Sequence, residues 1–110
     1  MKTLIAVSVL TLAMAGGTLV QAEDAKAIYT KECAKCHGAT GKGDTKQGKK
    51  VGCKDYTDAK VQAELKDDKA LKSIKEGLKD GDKELMKAYG DKFSDEEIKA
   101  LIAYMRAFKK

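Results

Sequence analysis

The sequence predicts an all-α domain of about four helices joined by long loops. Three observations carry this reading. Apolar residues recur at steps of three and four over Ala25–Cys36, Leu71–Leu78 and Ile98–Phe108, a helix-start signature stands at Ser94–Glu97, and no run alternates at period two.

At the front of the chain, Lys2 precedes the apolar run Leu4–Ala15 (LIAVSVLTLAMA), and GGTLVQA follows it. That is the pattern of a secretory leader. Val20 and Ala22 suit the small positions of a cleavage site and place the cut before Glu23, so residues 1–22 read as signal peptide and 23–110 as one domain. The run is short of the ~20 apolar residues that span a bilayer, which predicts a periplasmic protein with no stable membrane insertion after cleavage.

The first helix of the mature chain is expected over Glu23–Cys36, with apolar positions Ala25, Ile28, Tyr29, Cys33 and Cys36 and a left-handed cap at Gly38. From Gly38 to Asp58, five glycines and many lysines with little periodicity predict an extended loop. Asp58 and Asp67 or Asp68 start a short helix and a longer one whose apolar face is Leu71, Ile74 and Leu78, ended by Gly77 and Gly81. DGDKELMKAYGDKF is irregular. In SDEE, Ser94 is the N-cap and Glu97 stands at N3, with Phe93 and Ile98 at the staple positions. The stripe Ile98, Leu101, Ile102, Met105 and Phe108 then defines the last helix.

A domain this small buries a modest fraction of its surface. The mature part has no Trp, two Phe and four Tyr, and its three cysteines make at most one bridge, so a bound cofactor is a better supplement to the core than a disulfide framework. Net charge is +5 for the chain and +4 once Lys2 is set aside, with both signs interleaved. The basic stretch Lys42–Lys54 lacks aromatic interleaving and helical periodicity, which excludes a nucleic-acid reader.

The chemistry lies in Cys-Ala-Lys-Cys-His, where the chain's only histidine, His37, follows Cys33 and Cys36. Three and four residues apart on a helix share a face. Two thiols can then form thioethers with the vinyl groups of a porphyrin while the adjacent imidazole binds iron, the attachment pattern of one haem c through Cys33 and Cys36. Two other readings stay open: a redox dithiol, which wants a nearby strand–helix–strand unit, and a zinc site recruiting Cys53 as fourth ligand, which wants a second close ligand pair. For the second axial ligand the mature chain offers Met86 and Met105. Met105 falls on the apolar stripe, where methionine fills cores, whereas Met86 lies in the irregular segment between Gly81 and Gly90 and can be aimed at iron.

On CAKCHG (Cys33–Gly38) and MKAYGDKFSDEEIKALIAYMRAF (Met86–Phe108), the chain resembles the class I c-type cytochromes, in particular the small soluble bacterial mono-haem type. Tyr29, Met86, Ala88, Tyr89, Ser94, Glu97 and Tyr104 match positions of that pattern. The resemblance implies a cytochrome c-like fold of helices enclosing one covalently bound haem, with the first and last helices crossing. Two departures stand out: Lys87 replaces a proline commonly found after the ligand methionine, and no proline is present to offer its carbonyl to the histidine's other N–H. A carbonyl of Gly48–Gly52 is the expected substitute. Cys53 is expected to be a small buried hydrophobe, or a surface thiol that pairs between molecules.

These readings converge on an exported, non-enzymatic electron carrier with His37 and Met86 as iron ligands. Its expected partners are redox proteins with acidic docking surfaces, met by Lys35, Lys42, Lys46, Lys49 and Lys50, and the carrier itself is expected to be a monomer. The competing class is a five-coordinate haem sensor or peroxidase-like protein.

Overall fold

The computed structural model describes residues 22–110. The leader expected over residues 1–22 therefore lies outside the described residues, save for Ala22. The first helical rod has three parts: α1 (Ala22–Ile28), a π turn (Tyr29–Cys33) and α2 (Ala34–His37). The π turn is marked by the bond from Ala34 N–H to the Tyr29 carbonyl, five residues back. The rod ends one residue beyond the predicted boundary. Gly38 has the positive φ of 83° that a glycine tolerates, but its ψ of 156° sends the chain out extended rather than into a left-handed cap. Two bonds set that exit: Gly38 N–H donates to Ala34 O at 2.8 Å, and the Tyr29 hydroxyl donates to Gly38 O at 2.6 Å.

The stretch expected to be one extended loop contains a helix, α3 (Lys46–Val51), which corrects the sequence reading. Its cause is local. Thr45 Oγ1 accepts from Gly48 N–H at 2.9 Å and lies 2.8 Å from both the Lys35 and Cys36 carbonyl oxygens, to which it donates, so one threonine caps α3 and pins it to α2. Gly52, at φ 76° and ψ 35°, closes α3 in the left-handed region.

Next come α4 (Ala59–Glu64), capped by Asp58 Oδ1 from Lys60 N–H at 2.8 Å, and α5 (Asp67–Glu76). Asp67 and Asp68 sit inside the first turn of α5 rather than capping it, where their charges still oppose the helix dipole. Gly77 ends α5 as expected, but Leu78 is not on its apolar face. Leu78 begins β1 (Leu78–Asp80), which pairs antiparallel with β2 (Lys83–Met86) through Leu78 with Met86, Lys79 with Glu84 and Asp80 with Lys83. This hairpin corrects both the strand-free expectation and the placement of Met86, which is the last residue of a strand rather than part of an irregular loop.

The last helix, α6 (Asp95–Arg106), starts as the sequence predicts, with both halves of the Ser94–Glu97 capping box formed. It divides the core in two. On one side Ala25, Tyr29 and Leu101 are buried together, joined by Phe93, Tyr104, Met105 and Phe108; on the other Ala70, Ile98 and Ile102 are buried against Leu65, Leu71 and Ile74. Thus α6 packs α1 on one flank and α5 on the other. Tyr29 lies 5.1 Å from Tyr104 and 5.2 Å from Phe108, ring centre to ring centre, an aromatic trio where the first and last helices meet.

A candidate haem-attachment site at the end of the first helix

Cys33 closes the π turn, and Cys36 and His37 lie on α2, so the rod carries all three at its C-terminal end. Each is half-buried. Cys33 packs against the Ala25–Tyr29–Leu101 cluster. Its burial, followed by the nearby Glu32 and Cys36, pushes its thiol up to about 11. A disulfide exchanger needs a thiol shifted downward, the opposite of the direction at Cys33, and the strand–helix–strand unit such a dithiol wants is absent among the described residues. The zinc reading fares no better: among the described residues no three His, Cys, Asp or Glu side chains gather to hold a metal ion.

His37 is the most informative side chain. Burial lowers its pKa below the ordinary 6.5, which keeps the imidazole neutral and its lone pair free at physiological pH. Nδ1 is enclosed without a hydrogen-bond partner. A ring with one nitrogen walled in by protein presents only the other to a ligand. The expected carbonyl from Gly48–Gly52 does not serve Nδ1. Gly48 O already accepts from Gly52 and Cys53 N–H, because the segment is helical rather than open. The Tyr56 ring lies 5.7 Å from the imidazole and forms part of its surroundings.

The wall behind the motif is built by close backbone approach. A Cβ on Gly48 would collide with the Cys36 carbonyl oxygen and stand 2.7 Å from Gly43 O. Gly43 N–H in turn donates to His37 O at 2.8 Å. Cys53 is half-buried beyond Gly52, between the two expected placements, and burial pushes its thiol up. Lys35, within the motif, and Lys42, Lys46, Lys49 and Lys50, in the segment that follows it, are all exposed.

Met86 is half-buried at the end of β2. Its strand lies so close to the end of α5 that a Cβ on Gly77 would be 2.6 Å from Met86 O and 2.9 Å from Ala88 N. Tyr89 N–H and Gly90 N–H donate to Ile74 O and Lys75 O at 2.9 and 3.0 Å, fixing the rest of the segment to α5. Met105 packs into the α1–α6 cluster, the filler role expected of it.

Two polar devices have no signature in the sequence. Buried Gln62 donates from Nε2 to Tyr56 O at 2.7 Å and to Met105 O at 2.9 Å, while Arg106 reaches Gln62 O, Gln62 Oε1, Leu65 O and Asp67 Oδ1. The second device is the Tyr89 hydroxyl, which donates to Glu32 O at 3.2 Å. A cleft of about 660 Å³ between α5 and α6 is lined by Leu71, Ile102, Ala103 and Arg106 among others, and no residue of the motif faces it.

A Cys-x-x-Cys-His run closing the first helix, with the imidazole Nδ1 enclosed and the first and last helices packed together over aromatic rings, defines a c-type cytochrome domain of class I. Residues 20–105 match the family described as cytochrome c oxidase, cbb3-type, subunit III, and the chain belongs to that family. Among solved structures it is similar to the KustC0563 c-type cytochrome, at 34% identity and a TM-score of 0.71, covering 78% of this chain and 98% of that one. A tyrosine-to-phenylalanine mutant of the same cytochrome superposes at 0.69 with 32% identity, covering 78% and 99%. No curated protein matches. Membership of this family implies covalently bound haem c and haem-based electron transfer.

Proposed function

We propose that the chain is an exported mono-haem electron carrier, with residues 1–22 removed on export to the periplasm. In this reading one haem is attached through Cys33 and Cys36, and His37 and Met86 are its axial ligands in both oxidation states. When bound, the haem supplies a one-electron Fe(III)/Fe(II) couple. The protein's part is to hold. His37 gives a neutral nitrogen from a ring already enclosed on its other edge, and the Gly77–Met86 contact fixes the strand that presents the thioether. Neither residue gains or loses a proton, so little has to move when the electron arrives.

The observation that carries this reading is His37: half-buried, shifted toward the neutral form by burial, and with Nδ1 enclosed and unpartnered, at the end of the rod that bears both cysteines. Among the described residues no helix is long and apolar enough to cross a membrane. Exposed lysines in and after the motif favour brief docking of acidic redox proteins, steered by charge and weakened by salt. The matching family is named for an oxidase subunit, so an oxidase is one partner to test.

The test is to express the chain in a host competent for haem attachment and record its mass, its visible spectrum and its ferrous carbon monoxide affinity. The expected result is one haem per chain lacking residues 1–22, a sulfur-to-iron absorption in the red, and slow or absent carbon monoxide uptake at neutral pH. Met86→Ala should abolish that absorption and lower the potential. Ready carbon monoxide binding by the unaltered protein would favour the five-coordinate sensor or peroxidase-like class, and a colourless folded protein a zinc module.

A further inference from the structure

The segment that carries Met86 and the helix that carries Cys33 and His37 are distant in sequence, and among the described residues only two hydrogen bonds join Met86–Phe93 to that helix. Both end on Glu32, the residue before Cys33. The Tyr89 hydroxyl donates to the Glu32 carbonyl at 3.2 Å, and Lys92 Nζ reaches Glu32 Oε1 at 2.5 Å. The carbonyl belongs to the π turn, where the regular i→i+4 ladder is interrupted, and it takes a donor from outside the helix. The Tyr89 ring is braced on two sides, since it stacks on Phe93 at 5.6 Å and 23°, and its backbone N–H is fixed to Ile74 O. Burial, then the neighbouring Cys33 and Glu32, push its hydroxyl up, so it is a protonated donor across the physiological range.

We infer that Tyr89 is a positioning residue, a latch that holds the Met86 segment closed onto the haem-bearing helix through the Glu32 carbonyl of the π turn. This role rests on Met86 being the sixth ligand. For an external ligand to take that position, the segment after β2 has to swing away. Its backbone anchors to the Ile74 and Lys75 carbonyls hold it to α5 and can act as a hinge, whereas the Tyr89–Glu32 bond joins it to the haem-bearing helix and has to break. The latch therefore sets how readily the sixth position opens, with Lys92 as a weaker, solvent-exposed second arm.

The test uses the ferric holoprotein titrated with imidazole, followed by loss of the sulfur-to-iron absorption. Tyr89→Phe keeps the stack on Phe93 and deletes only the hydroxyl. It should raise imidazole affinity about fivefold, the equivalent of about 1 kcal/mol for one hydrogen bond, while Lys92→Gln should raise it less than about twofold. Ser94→Ala is the control for general destabilisation: it should lower the denaturant midpoint by a similar free energy through loss of the α6 cap, yet leave imidazole affinity unchanged. Unchanged affinity in Tyr89→Phe, or an equal rise in Ser94→Ala, would overturn the latch. A different outcome marks the failure of the ligation itself: unaltered protein with no sulfur-to-iron absorption, and imidazole affinity that Met86→Ala does not change, would remove the sixth ligand and the latch together.

Discussion

Replacing Gly48 by alanine sets two effects of opposite sign against each other. Gly48 lies inside α3 at an ordinary helical φ, so helix propensity alone predicts that Gly48→Ala stabilises the protein by about 1 kcal/mol. Packing predicts the reverse. The new methyl would overlap the Cys36 carbonyl oxygen and lie 2.7 Å from Gly43 O and 2.9 Å from Thr45 Oγ1. Overpacking costs about 1–3 kcal/mol where side chains can adjust. Here two of the three neighbours are backbone oxygens beside the attachment motif, which cannot rotate aside, so the top of that range applies and the net is a loss of about 2 kcal/mol. In a domain of this size that is a drop of about 8–16 °C in Tm. The assay is denaturant and thermal unfolding of the holoprotein, with Gly52→Ala alongside. Gly52 has φ 76° and open space where a Cβ would go, so its substitution isolates conformational strain of about 1–2 kcal/mol without a clash. Gly48→Ala protein as stable as the original, or more so, would refute the argument that α3 is seated on the Cys36 carbonyl by backbone contact.

Gln62→Leu should cost about 2–3 kcal/mol in urea unfolding, because the Tyr56 and Met105 carbonyls and the Arg106 guanidinium all lose a partner at a buried position. Tyr29→Phe keeps the aromatic trio but removes the donor to Gly38 O, a loss of about 1–3 kcal/mol measurable the same way. The Lys92 hydrogen bond holds the Glu32 carboxyl below its ordinary 4.5 in the folded chain. A depressed carboxylate favours folding above its unfolded value, and this contribution fades as pH falls through the folded one. Unfolding midpoints taken from pH 6 downward should therefore fall less steeply below about pH 4.5 in Lys92→Gln than in the unaltered protein.

Some of this architecture is written in residue patterns and some is not, and the division has physical causes. The α6 start is legible because a capping box and a stripe at steps of three and four are local and redundant, and Ile98, Leu101 and Ile102 are buried as that stripe requires. The attachment motif is legible because its chemistry constrains residue type and spacing together. In contrast, α3 buries a glycine rather than an apolar stripe, so its packing face contributes nothing to periodicity. The β1–β2 hairpin is illegible for a related reason: Leu78 to Glu84 is exposed throughout, and without a buried face there is no alternation to read. Its one turn cue, Gly81, reads equally well as the end of a helix. The Gln62–Met105 bond, the Arg106 bonds and the Tyr89 hydroxyl act over separations of 39 to 57 residues, where sequence pattern carries no record of pairing.

The helix that is easiest to read governs the site that is next easiest. On one flank α6 brings Leu101 and Tyr104, and the turn after it Phe108, around Tyr29, and the Tyr29 hydroxyl fixes the carbonyl of Gly38, the residue after His37. At its C-terminal end, Arg106 and the Met105 carbonyl clamp Gln62, which holds the Tyr56 carbonyl and with it the ring beside the imidazole. Two routes of different chemistry, one apolar and one polar, thus run from a single helix to His37. A change confined to α6 that leaves the helix intact should therefore be felt at the imidazole. With Leu101 buried against Ala25 and Tyr29, Leu101→Ala should cost about 2–5 kcal/mol and shift the His37 ring resonances of the holoprotein, and a variant that lost the stability without moving those resonances would break the first route.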